Sequence, residues 1–340
     1  MQKAVDLYPG SAEAQFGLGV GYAFDAQPAE AVKRYRLALE LDPLNYVIHS
    51  RWGQDATFLG DFESARVHFA RAAALQPKYP WRFLGPAQAD YARGRLDDAV
   101  NNYRLQLEQD PRRPDAWSEL GWLYLDLGLI AQARIAFDKK AELYGPVQRA
   151  GVDRAFLAVA DGRVAALPAV LAERGLDTPM DGRQEIDRLL VQAFAGRRPT
   201  VQQLDAVRDA MRADSTPWVG SYWIFIGQFA WVDLATLYDV AGAPASVAPL
   251  LDDAQKMLAR LVAQGNAFHT IPFFEARIAA LRGQRELAVT KLVAAVDRGW
   301  RRTWLLPVDP SLRTLRDDPR LAMLIARTQK DIDVQKSHVG

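Results

Sequence analysis

The side chains that could do chemistry are few and scattered. The four histidines, His49, His68, His269 and His338, are spaced too widely for a local metal motif, and with no cysteine a zinc site would have to be completed by carboxylates. The same lack of thiols removes disulfides, iron–sulfur clusters and cysteine nucleophiles. His49 takes an internal place in a helix and His68 a helix face, so both read as structural or surface residues. No phosphate loop, dinucleotide fingerprint or nucleophile elbow occurs. The acidic pairs Asp97–Asp98 and Asp317–Asp318 fit helix starts better than acid–base catalysis, since Pro319 directly follows the second pair. The aromatic cluster Trp218, Tyr222, Trp223, Phe225, Phe229 and Trp231 could line a pocket, yet its helical spacing also covers every side of one buried helix. No catalytic, cofactor-binding or metal residue is expected, and the chain does not read as an enzyme.

Charge narrows the partners. The 340 residues carry 42 Lys+Arg against 41 Asp+Glu, a net charge of +1, with both signs scattered along the chain. That distribution gives no footprint for a phosphate backbone, so nucleic acid is not an expected partner. The uncharged run 215–232 is broken by Pro217, Gly220, Ser221, Gly227 and Gln228 and reads as a buried helix, so no direct membrane insertion is expected. The N-terminus lacks the apolar core of a signal peptide. Compartment, cytoplasmic or periplasmic, and oligomeric state stay open.

The elements that must position any site announce themselves by a period of 34 residues. Ala31, Ala65, Ala99 and Ala133 form one series, Ala26, Gly60, Gly94 and Gly128 a second, and Tyr35, Phe69, Tyr103 and Phe137 a third. Gly19, Gly53, Ala87 and Gly121 form a fourth, and Pro43, Pro77 and Pro111 close three units, with Gly145 in the fourth. Each unit reads as two helices joined by a tight turn and stopped by proline; none could bury its apolar faces alone, so the units must stack.

With these series in place the chain resembles the tetratricopeptide repeat family, best in the fourth unit, where Trp117, Leu120, Gly121, Tyr124, Gly128, Ala133 and Phe137 keep the family's order. The fold expected is an all-α, right-handed α-solenoid of such helix pairs, continued by less regular pairs and a C-terminal capping helix. Residues 1–161 read as the array: 1–11 a truncated repeat, 12–147 four full repeats, then a degenerate fifth in which Pro168 interrupts the second helix. After it the period is lost. Residues 162–268 read as irregular and helical, with helices near 184–195, 201–213, 219–240 and 247–264. Residues 269–340 read as a repeat-like pair and a capping helix, similar to the closing segment of bacterial regulators. Pro86 sets the start of the third unit's first helix, leaving 78–85 as a loop. Because Ala4, Leu7 and Pro9 match the close of a unit, a longer bacterial protein is expected.

The resemblance implies that the first helix of each unit lines a concave groove. The groove-facing places are Phe16, Val20 and Phe24; Ser50, Gln54 and Phe58; Trp81, Leu84, Gln88 and Tyr91; Ser118, Trp122, Leu125 and Asp126; and Phe156. Phe16 and Val20 stand where relatives that clamp acidic tails need Lys and Asn, so that use is not expected. The aromatic, apolar wall suits a protein or peptide segment with hydrophobic anchors. The chain's own helices between Arg183 and Gln264 could equally cover it. The expected role is a non-catalytic interaction scaffold, the alternative a sensory or regulatory domain of a signalling protein such as a transcription regulator, kinase or cyclase.

Overall fold

The computed structural model describes residues 2–79, 81–144, 149–173, 183–213 and 229–339. Among these residues every regular element is helical. A short helix α1 (Gln2–Leu7) precedes four hairpins: α2 (Ala12–Phe24) with α3 (Pro28–Leu41), α4 (Tyr46–Phe58) with α5 (Phe62–Leu75), α6 (Leu84–Ala92) with α7 (Leu96–Gln109), and α8 (Pro114–Asp126) with α9 (Ile130–Tyr144). Ser11, Asn45 and Asp61 each offer a side-chain oxygen to the free N–H groups of the helix that follows, while Pro28 and Pro114 open helices where a missing N–H is harmless. Pro86 has the same effect: α6 starts at Leu84, close to the expected place.

One turn geometry joins every pair. Ala26, Gly60, Gly94 and Gly128 have φ of 57°, 73°, 75° and 67°, a region that glycine enters without a Cβ clash. The N–H of the following residue then donates back across the turn: Gln27 to Tyr22, Asp61 to Ala56, Arg95 to Asp90 and Leu129 to Tyr124, at 2.7–2.9 Å. The small residues of the first helices admit the aromatics of the second. A Cβ on Gly19 would lie 2.6 Å from the Tyr35 ring, and one on Gly53 2.7 Å from that of Phe69.

The register outlasts the sequence reading. α10 (Arg149–Ala160), α11 (Leu167–Glu173), α12 (Arg183–Phe194) and α13 (Val201–Ala213) follow, with turns at Gly162 (φ 68°) and Gly196 (φ 77°). Gly196 lies 34 residues after Gly162 and repeats the same bond, Arg197 N–H to the Gln192 carbonyl at 3.0 Å. The expectation that the period ends with the fifth unit is thus corrected: the turn persists, while Leu189, Val201 and Asp205 stand where earlier units have small, small and aromatic residues. Pro168 does not break α11 but is its second residue, after a 3-10 turn at Val164–Ala166.

The remaining helices are α14 (Ala230–Ala241), α15 (Pro244–Ala263), α16 (Thr270–Leu281), α17 (Arg285–Asp297) and α18 (Pro319–Ser337), with 3-10 turns at Thr303–Leu305 and Pro310–Leu315. The expected helices 184–195, 201–213 and 247–264 correspond to α12, α13 and α15 within a few residues; the first part of the expected 219–240 lies outside the described residues, as do Trp218, Tyr222, Trp223 and Phe225. α14 is buried from Val232 through Tyr238, and Phe229 packs against Phe274 at 5.2 Å between ring centres. Arg277 of α16, itself buried, binds Asp233 at 2.7 Å and Asp309 at 3.1 Å, which ties α14, α16 and the second 3-10 turn together. Asp318 caps α18 by accepting from the Arg320 N–H at 3.0 Å.

This C-terminal part folds back across the row of hairpin turns. Asn266 Nδ2 donates to the Ala26 carbonyl at 3.3 Å, and the Ala267 N–H to that of Phe58 at 2.9 Å. Gly94 and Gly299 meet backbone to backbone, so closely that a Cβ on Gly94 would lie 2.6 Å from the Gly299 oxygen. From α18, Gln335 donates to the Gly94 carbonyl at 2.9 Å and accepts from the Leu96 N–H at 2.6 Å, Lys336 reaches the Gly128 carbonyl at 3.2 Å, and His338 pairs with Asp97 at 2.7 Å.

Candidate functional site

The inner face of the array divides in two. In the first two units it stays open: Phe16 is half-buried against Tyr35 with ring centres 5.8 Å apart, Val20 is half-buried, and Phe24 is 73% exposed. Gln54 is half-buried and accepts from Arg51 at 3.1 Å.

From the end of the second unit onward the face is filled by the chain itself, except at Trp81, which is 52% exposed with the Arg113 guanidinium 4.3 Å from its ring. Phe58 is buried against Phe268 at 6.0 Å, and Tyr91 packs edge to face with His269 at 5.2 Å, while Gln88, also on α6, is half-buried. Trp122 lies between Phe137 (5.6 Å) and Phe156 (5.2 Å), with the Arg302 guanidinium 5.0 Å above its ring. Asp126, whose side chain is 1% exposed, accepts from Arg302 Nε at 3.1 Å, from Arg302 Nη2 at 3.2 Å and from the Trp304 indole at 2.8 Å. Leu125 is buried, and Phe156 also touches Trp304 (6.4 Å) and Phe194 (5.9 Å). Of the two occupants that the sequence left open, the chain itself holds this half of the groove. The covering residues come chiefly from 266–304, beyond the helices expected to supply them, with Phe194 the contribution of α12.

Burial dominates the electrostatics. It pushes the Glu119 carboxyl up to about 7, with Arg302 and Lys140 pulling it partly back. The His269 imidazole is driven down to about 3 by burial, helped by the charges of Arg301 and Arg302, and is neutral at physiological pH. Lys140, in the place that Ala38 and Ala72 take in the first two units, meets Asp153 of the next unit at 2.6 Å, a buried pair that joins the fourth and fifth units.

Sequence reasoning missed two groupings. Arg302 and Trp304 lie outside any repeat, and their only signal was the run Trp300–Trp304, rich in arginine and tryptophan. His49 and His68 come together across the second hairpin, Nδ1 to Nδ1 at 2.9 Å, with His68 stacked on Trp52 at 4.0 Å. Among the described residues no group of three or more His, Asp or Glu side chains is placed to hold a metal ion, and no helix is long and apolar enough to cross a membrane.

No family model matches the chain, and no curated protein does, so the likeness of its C-terminal segment to bacterial regulators gains no support there. Similar solved structures include a tetratricopeptide repeat protein from Parabacteroides merdae, at 16% identity and a TM-score of 0.43 over 93% of this chain and 98% of that one. Others are pilF of Pseudomonas aeruginosa, at 17% and 0.45 over 69% and 95%, and the MamA protein, at 16% and 0.40 over 52% and 94%. These likenesses assign no ligand and no site residue. On the register of its own turns, small residues and ring contacts, the described residues are helical and begin as an array of tetratricopeptide-type helix pairs.

Proposed function

We propose that the protein is a non-catalytic interaction scaffold that binds a protein or peptide segment on the inner face of its first two units. The observation that carries this reading is the division of that face. Phe24 is 73% exposed at one end, whereas its equivalents further along, Phe58, Ala92 and Asp126, are buried. An aromatic anchor bordered by half-buried apolar and amide side chains suits a segment that buries hydrophobic residues and takes its register from Gln54. The evenly mixed charge of the chain favours a protein partner over nucleic acid.

The test is a photoreactive benzoylphenylalanine at position 24, irradiated in cells that express the full chain. A discrete cross-linked product is expected from position 24 and none from position 135, where Ile135 is 59% exposed on the second helix of its unit. With the captured partner purified, Val20→Ala plus Phe24→Ala weakens binding by about 2 kcal/mol, or roughly 30-fold, without loss of helix. Identical products from both positions, or none from position 24, contradict the assignment.

A further inference from the structure

Arg302 and Trp304 approach the array as a bound peptide would. Residues 300–302 are irregular, and the 3-10 turn at Thr303–Leu305 turns both side chains onto one carboxylate, that of Asp126. Among the described residues the backbone bonds of 301–305 are local and none reaches the array: Thr303 N–H donates to the Arg301 carbonyl at 2.7 Å and Leu305 N–H to that of Arg302 at 3.2 Å, while the Thr303 and Leu305 carbonyls accept from the N–H groups of Leu306, Val308 and Asp309. The segment is therefore held in the groove by side chains. The groove answers each of them: Asp126 takes the guanidinium and the indole N–H, the Trp122 ring takes the face of the guanidinium, and Phe156 takes the edge of the Trp304 ring. Glu119 adds acidic character within electrostatic reach of Arg302. The bonds that fold the C-terminal part back onto the turns are made elsewhere, at Asn266, Ala267, Gln335 and Lys336.

We propose that the inner face around Trp122, Asp126 and Phe156 is a receptor for a segment with arginine and tryptophan two residues apart. In this chain Arg302–Thr303–Trp304 occupies it as an internal ligand, which a partner segment of the same chemistry displaces. This deepens the scaffold reading and rests on it, but it concerns a second part of the face, separate from Phe24.

The experiment uses the full chain with Arg302→Ala and Trp304→Ala, and a fluorescent peptide of residues 299–306, GWRRTWLL, followed by anisotropy. The doubly substituted protein is expected to bind the peptide at least 30-fold more tightly than the wild type. Adding Asp126→Asn should cost at least tenfold, and a peptide with alanine for both side chains should not bind. A variant that keeps wild-type helix content and melting yet binds no better than the wild type overturns the proposal. If that variant does not fold, Asp126→Asn alone in the unaltered chain asks the same question by hydrogen exchange. Faster exchange at 299–306 with α16 and α17 unchanged supports the receptor, and unchanged exchange overturns it. A wild-type dimer that exchanges this segment between copies also overturns it, because the occupant is then a second copy. Loss of peptide binding with cross-linking at position 24 intact removes this receptor and leaves the scaffold reading; loss of both removes both.

Discussion

At the scale of single residues, Asp55 shows how far burial alters ordinary chemistry. It is buried on α4 between the first two units, and desolvation lifts its carboxyl to about 7, with the neighbouring Tyr35 hydroxyl and the Arg51 charge pulling partly back. Its folded value lies above the unfolded 3.8, so its stabilising effect is full below about pH 4 and is lost as pH rises through about 7. Asp55→Asn removes that titration. The melting temperature of the variant relative to wild type should therefore climb between pH 4 and 8 in matched thermal scans, and a constant difference would contradict the assignment. Position 55 carried no signal in the sequence, because its burial depends on a ring from another unit. The residues proposed as groove anchors were legible as residue types in helical register. Whether each was open or filled was not, since Phe24 and Phe58 occupy equivalent places and differ only in what lies over them.

At the scale of elements, the hairpin turn is what the sequence conveyed best. Its left-handed residue, Ala26 in the first unit and glycine in the later ones, answers to backbone geometry alone and so survives in the sixth unit, where the packing residues have changed. The helix start marked by Asp318 and Pro319 was equally readable. Two turns separate local strain from long-range contact. Gly162 has φ 68° and open space where a Cβ would point, so Gly162→Ala should cost about 1 kcal/mol from the left-handed conformation alone. Gly94 has the same strain, but its Cβ would meet the Gly299 backbone. Gly94→Ala should cost at least about 2 kcal/mol in urea unfolding and should speed hydrogen exchange near Gly299. Equal costs at the two positions would mean that the turns are free of the C-terminal part.

At the scale of the whole molecule, the period implies a stack whose units touch only their neighbours. The structure adds contacts between residues 176 to 241 positions apart, such as Arg302 with Asp126 and Gln335 with Gly94. No periodicity encodes these: they join unlike elements through isolated side-chain and backbone contacts, so the closure was not readable in advance. They divide the inner face into an open end and an end holding its own ligand, and both functional proposals depend on that division. The chain contains no cysteine, which allows the closure to be tested directly. Asp97→Cys and His338→Cys replace two side chains in contact at 2.7 Å, one on α7 and one at the end of α18. Because the contact is between side-chain ends, a short bifunctional thiol reagent rather than a direct disulfide should join the pair within nearly every molecule, with helix content unchanged. Two thiols that remain free and react independently with a labelling reagent would contradict the folded-back architecture.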